Sequence, residues 1–394
     1  MDTELFLQML QIDSTSGKEG EFAAFLAERL LTEKCRLERL SVETMSELCP
    51  EGFPLPENLL FSWGTPKVIF CTHLDTVPPY ISPEVCHPDP SHCHPEPSHC
   101  HPERSEGSFN SVIYGRGTCD AKGQIFAMYQ ACLELEKQGY TDFGLLLLAG
   151  EETGSFGAKA FNQISGQVSS DEIRLVVGEP TDNCMASAAK GTKSYEIEFE
   201  GEAFHSGYPE HGRSAVMMFN DFVNALRSIG FPSDPVLGET TWNIGKLHSD
   251  NPQNILSDRL TCRVYFRTTF ESDEMVCNVM KNIAGPQARL RFGRPCVQDG
   301  SDIVAKDVAD WQRYMKVTAF GGDAPTRFEV LEGFPVKPVS FGSDAPQLTA
   351  FRHKILCGPG SILVAHRDDE HITLQDLETA VQNYIDIYKK LVVE

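Results

Sequence analysis

At 394 residues, with 41% hydrophobic and 23% charged residues, the chain has the composition of an ordinary soluble globular protein and the length for two domains. A formal charge of -22 argues against nucleic acid or an anionic membrane surface as a partner. No apolar run is long enough to span a bilayer and no secretory leader pattern opens the chain; thirteen scattered cysteines read as reduced thiols in a cytosolic protein.

The first elements alternate helix and strand. In "EGEFAAFLAERLLTE" (19–33), Phe22, Phe25, Leu26 and Leu30 fall on one helical stripe. "VIFCT" (68–72) is a short, unbroken apolar run, as a strand covered on both faces would be. A helix over 123–138, a strand "GLLLLAG" (144–150), a helix near 155–164 and a strand "IRLVVGE" (173–179) follow. This order implies an α/β fold, a mainly parallel sheet with helices on both faces. The pattern then changes. "SYEIEFEG" (194–201) alternates cleanly, with Tyr195, Ile197 and Phe199 on one face. A helix near 213–229, strands at 240–247 and 259–268, a helix near 272–284 and a strand "ARLRF" (288–292) give the order β-α-β-β-α-β. That is the split, ferredoxin-like arrangement. The α/β signature resumes with "KPVSFG", "KILCG" and an amphipathic helix near 373–392. The expected division is a catalytic domain, 1–183 with 298–394, into which a smaller α+β domain, 184–297, is inserted.

Four stretches place polar residues at the carboxyl ends of predicted strands, where open α/β sheets bind ligands. "CTHLDTVPP" holds His73 and Asp75; a carboxylate so close can reach the second ring nitrogen and make the imidazole a better ligand. "YGRGTCDAKGQ" places Asp120 before a helix, where an aspartate can also be a simple cap. "LLAGEETGSFGAK" puts Glu151 beside Glu152, two like charges that raise each other's pKa unless a cation intervenes. "VVGEP" adds Glu179, and "CGPGSILVAHRDDEH" adds His366 after a glycine-proline loop. Oxygen and imidazole ligands without thiolates suit zinc or another divalent ion in a catalytic site. Five ligands suffice for two ions sharing one carboxylate, and a further glutamate can act as general base.

"HLDTVPP", "GRGTCDAKG", "GEETGSFGAK", "VGEP", "HSG" and "GPG…AH", in this order, resemble the acetylornithine deacetylase / succinyl-diaminopimelate desuccinylase / aminoacylase family of co-catalytic zinc metallopeptidases. The similarity spans nearly the whole chain. It implies that His73 and Glu179 bind one zinc, Glu152 and His366 the other, and that Asp120 bridges them. It implies that Asp75 orients His73, that Glu151 is the base deprotonating a metal-activated water, and that the Asp120–Ala121 peptide is cis. The inserted domain resembles the family's lid and dimerisation domain. His205, in "GEAFHSGYPEHGRSA", matches a histidine that reaches the partner subunit's site and stabilises the oxyanion. Asn254 and Arg267 match the residues that bind the substrate carboxylate, a task suited to the planar guanidinium fork. The implied protein is a cytoplasmic homodimer with two zinc ions per subunit, for which cobalt or manganese can substitute. Its substrate is a small molecule with a free carboxylate: an N-acyl amino acid of the acetylornithine type first, a di- or tripeptide second, with a non-catalytic binding protein as the contrasting class.

One segment stands apart. "CHPDPSHCHPEPSHCHPERSEG" (86–107) repeats every seven residues and is dense in histidine, cysteine and proline. Its prolines exclude regular helix. It reads as an exposed insertion with adventitious metal affinity, distinct from the dispersed site.

Overall fold

The computed structural model describes residues 1–86, 111–164, 172–283 and 310–392. The chain forms two compact units. The first comprises Met1–Ser187, Phe328–Lys337 and Ser343–Glu394; the second comprises Ala188–Arg327 and Pro338–Gly342. No helix among the described residues is long and apolar enough to cross a membrane.

The first unit is built on a six-stranded sheet in the order Arg36–Ser41, Glu57–Trp63, Phe143–Leu148, Val68–His73, Arg174–Val177, His353–Leu356. The last four strands are parallel, and the first two join antiparallel. Val68–His73 and Phe143–Leu148 are buried at every position. With helices on both sides, such strands have no solvent face, which is why their sequences do not alternate. Helix Lys122–Lys137 packs against helix Leu374–Val392, and both lie on strand Val68–His73. Phe70 meets Tyr384 edge-on with ring centroids 5.5 Å apart. Helices Glu19–Arg29 and Phe156–Ile164 pack against Glu57–Trp63. The α/β architecture expected from the sequence is present. The antiparallel pair was not legible there: "RLERLS" is half exposed and carries charges between its leucines, so it lacks the apolar run of its neighbours.

A small sheet, Glu84–Cys86, Val112–Tyr114 and His371–Thr373, has Val112–Tyr114 in the middle and is antiparallel throughout. Apart from Cys86, the Cys/His/Pro repeat lies outside the described residues.

The second unit holds a four-stranded antiparallel sheet ordered Thr241–His248, Arg259–Thr268, Gly191–Glu200, Met315–Ala319. Helices Ala215–Arg227 and Asp273–Asn282 pack on it over a core including Ile197, Phe199, Phe222, Val264, Phe266, Val276 and Met280. The order β-α-β-β-α-β is thus the expected ferredoxin-like one. The strand expected at 288–292 lies outside the described residues, and the fourth sheet position is taken by Met315–Ala319, paired with Gly191–Glu200. The unit therefore extends to Arg327 rather than to the 297 read from the sequence.

Candidate metal centre

Strand register brings the predicted ligands of the first unit to one edge. Parallel pairing sets His73 opposite Leu148 and Cys71 opposite Val177. Strands Val68–His73 and Phe143–Leu148 therefore finish level, Arg174–Val177 finishes two residues short of them, and the residues that close or follow the three arrive together: His73, the Glu151–Glu152 pair beyond Gly150, and Glu179 beyond Gly178. Asp120 comes from the loop before helix Lys122–Lys137, and the Asp120–Ala121 peptide is cis. His366 comes from the loop after strand His353–Leu356. Its φ of 64° is left-handed, a conformation a non-glycine residue keeps only when its surroundings hold it there.

The side chains converge in overlapping trios whose ligand atoms lie within 4.8 Å of one another: His73, Asp120 and Glu179; Asp120, Glu152 and His366; His73, Glu151 and Glu152. Asp120 is common to the first two. Its Oδ1 lies 3.0 Å from His73 Nε2 and its Oδ2 lies 3.2 Å from His366 Nε2, while His366 Nε2 is 3.0 Å from Glu152 Oε1. His73 Nδ1 sits 2.9 Å from the carbonyl oxygen of Asp75. A carbonyl only accepts, so Nδ1 carries the hydrogen and Nε2 is the nitrogen with a lone pair to offer an ion. The Asp75 carboxylate lies 3.4 Å from Nδ1 and does more besides. It accepts the backbone N–H groups of Glu151 at 2.9 Å and Glu152 at 3.1 Å, and the hydroxyl of Ser16 at 2.8 Å. Asp75 therefore fixes the turn that carries both glutamates as well as the imidazole. Ser16 carries no local sequence signal for this role, because its partner lies 59 residues away.

The electrostatics are those of a cluster built around positive charge. Burial pushes the Glu151 carboxyl well above the usual carboxylate range; His73 opposes this, and the charges of Asp344, Glu152 and Asp75 add to it. Glu179 is raised in the same way, with Asp120, Glu151 and Glu152 as the repelling charges. Burial also works against ionised Asp120, but hydrogen bonds from His366 and His73 hold its carboxyl below the usual range. His73 is raised against the pull of burial by Asp120 and Asp75, and His366 is raised to about 10 by Asp120 and Glu152. Four carboxyl groups and two imidazoles this close need cations among them. The donor set is oxygen and imidazole nitrogen; the thiol of Cys119, next to Asp120, turns instead to Glu370 and the Ser361 carbonyl. These residues fit one or two divalent ions of the zinc type. Loading must expel the histidine protons, so affinity falls with acidity.

The remaining predicted residues belong to the second unit. His205 is exposed, and its Nδ1 accepts the Gly207 N–H at 3.0 Å. Asn254 is exposed on the neighbouring turn, its carbonyl accepting the Ser206 N–H at 2.9 Å. Arg267 is half-buried on strand Arg259–Thr268 between Thr192 and Thr241, its guanidinium 5.0 Å from the Tyr265 ring centroid.

Known proteins resemble this chain. The family model of the M20 peptidase dimerisation domain matches residues 187–289, all but the first of them in the second unit. A probable carboxypeptidase of Aspergillus oryzae is 31% identical over 402 residues, covering 95% of this chain and 84% of that protein. The chain belongs to the M20 family of metallopeptidases. A solved tripeptidase from Staphylococcus aureus, 18% identical, superposes with a TM-score of 0.73 over 100% of this chain and 98% of its own. An M20 metallo-carboxypeptidase from Sulfolobus solfataricus, 16% identical, gives 0.66 over 100% of both chains. These two show the same fold. The M20 assignment is broader than the deacetylase branch to which the motifs point.

Proposed function

We propose that the chain is a two-ion M20 peptidase that hydrolyses the amide bond next to a free carboxylate, releasing the C-terminal residue of a small peptide. One observation carries this reading: Asp120 turns one oxygen to His73 and the other to His366, with Glu179 and Glu152 completing a trio on either side. His73 and Glu179 would hold one ion, His366 and Glu152 the other, and Asp120 would be shared. Divalent ions bound there, zinc first and cobalt or manganese in its place, supply Lewis acidity toward a carbonyl and lower the pKa of water. Glu151 takes a proton from the attacking water and returns it to the leaving nitrogen. Its raised pKa suits it to hold that proton near neutral pH. Asp75 keeps His73 and the Glu151 backbone in place. Arg267 and Asn254 take the substrate carboxylate. The matched dimerisation domain supports a homodimer, in which the partner subunit's His205 stabilises the oxyanion. A cytoplasmic setting is part of this proposal.

The carboxypeptidase names of the relatives favour peptides over acyl amino acids. N-acyl amino acid cleavage of the acetylornithine type is the second reading, favoured by the order of the motifs. Zinc-loaded protein should cleave dipeptides or longer peptides with a free C-terminus and lose activity to a chelator. Glu151→Gln should keep its metal and lose roughly a hundredfold or more in kcat. Turnover of N-acetylornithine alone would transfer the assignment to the second reading. Unchanged activity in Glu151→Gln would remove that residue from its role, and no hydrolysis with zinc, cobalt or manganese would leave a binding protein.

A further inference from the structure

We propose that Arg116 and Glu370 form a buried latch that locks the Asp120 and His366 segments together, and so act as positioning residues for the metal site; this rests on the two-ion reading above. Both side chains are buried, Glu370 at 0% and Arg116 at 1% exposure. Glu370 Oε1 accepts three backbone N–H groups from the loop that ends in Asp120: Gly117 at 3.0 Å, Cys119 at 3.2 Å and Asp120 itself at 3.2 Å. Its Oε2 accepts Arg116 Nη1 at 2.7 Å. Arg116 also donates to the Arg367 carbonyl at 3.1 Å, one residue past His366, and to the Pro79 carbonyl at 3.2 Å, in the loop after His73 and Asp75. Three ligand-bearing segments, distant in sequence, thus meet on one ion pair. The small sheet assembles it: His371 pairs with Tyr114, and Gly115 N donates to the Glu370 carbonyl at 2.9 Å.

A pair that served only to neutralise two buried charges would need no more than each other, and such pairs are often replaceable by apolar side chains. Here the carboxylate is instead the centre of a nest of main-chain donors, one of them the amide of Asp120. Moving Glu370 moves the Asp120 backbone. Moving Arg116 releases the peptide that follows His366, whose left-handed φ needs support. The 3.2 Å approach of Asp120 Oδ2 to His366 Nε2 is therefore set before any ion arrives. Glutamine cannot replace Glu370, because its amide NH2 must face either the three N–H groups or Arg116, donor against donor.

The test measures zinc affinity and stoichiometry by chelator competition, and the absorption spectrum of the cobalt-loaded protein, for the wild-type chain and Glu370→Gln. We expect a folded variant with at least one ion weakened by about tenfold or more. Its cobalt spectrum should be altered, and kcat should fall with KM nearly unchanged. A folded Glu370→Gln with wild-type affinity and spectrum overturns the latch alone. A wild-type chain that binds no divalent ion overturns the latch and the site together. Should the variant not fold, hydrogen exchange on metal-free wild-type protein decides. Protected amides at Gly117, Cys119 and Asp120 support the latch, and amides that exchange freely until zinc is added overturn it.

Discussion

Glu19 illustrates how far the influence of the site reaches at the scale of one residue. It is fully buried, and its Oε2 accepts the Gly17 N–H at 2.6 Å while Oε1 has no hydrogen-bond partner. Burial first, and the charge of Asp75 second, push its carboxyl up to about 8 from a usual value of 4.5. The folded chain therefore keeps a proton on Glu19 over a range where the unfolded chain has lost it. The stability linked to this proton is complete below pH 4.5 and is lost as pH rises through about 8. Each pH unit of the gap is worth up to about 1.4 kcal/mol. Glu19→Gln copies the protonated shape and has no proton to lose. Its melting curve should match the wild type at pH 5 and lie above it at pH 9; a constant offset between the two pH values would remove Glu19 as the titrating group.

Helix Lys122–Lys137 carries the argument to the scale of elements. It begins two residues after Asp120, so whatever anchors its first turn also anchors that aspartate. Lys122 is 1% exposed and donates to the carbonyls of Met9 at 3.1 Å and Ile12 at 2.5 Å, with its ammonium 4.6 Å from the Phe22 ring centroid. It thereby satisfies carbonyl groups at the end of helix Thr3–Leu10, which also stacks Phe6 on Phe126 at 5.0 Å. Burial lowers the amine to about 7, against the attraction of Asp13 and Glu370. Lys122→Met keeps the packing volume, strands the Ile12 carbonyl and leaves that of Met9 to the Ile12 N–H at 3.4 Å. Urea unfolding should show a loss of about 2–4 kcal/mol; a loss below about 1 kcal/mol would mean that water replaces the ammonium at little expense. The helix itself was legible in the sequence from its apolar pattern. Its clamp was not, since nothing near Lys122 in the chain identifies Met9 and Ile12 as its partners.

For the whole molecule, the question is whether the Cys/His/Pro repeat belongs to the working enzyme. Its flanks answer in part. Strands Glu84–Cys86 and Val112–Tyr114 pair directly, with Cys86 opposite Val112. The chain thus leaves the sheet at Cys86 and re-enters it as that residue's neighbour, a gap that a hairpin turn of a few residues closes. All five predicted metal ligands lie outside the segment 87–110. Replacing 87–110 by a short glycine-rich turn should leave kcat/KM within about threefold of the intact chain and slightly lower the entropy cost of closing the loop. A folded deletion without activity would place the repeat in the enzyme's machinery.

The sequence by itself determined most of the elements and the chemistry that the ends of the buried strands offer. Unbroken apolar runs marked the buried parallel strands, clean alternation in "SYEIEFEG" marked the half-exposed sheet, and carboxylates and histidines closing or following such runs marked the candidate ligands. These signals are local, and burial writes them directly into neighbouring residues. What only the tertiary structure decided is adjacency. That Asp120 divides its two oxygens between His73 and His366, that Asp75 spans Ser16 and the Glu151–Glu152 turn, and that Glu370 gathers the Asp120 loop all depend on sheet order and strand register. Hydrogen bonds between residues tens to hundreds of positions apart leave no periodic trace in the chain, because either partner alone has the composition of an ordinary loop.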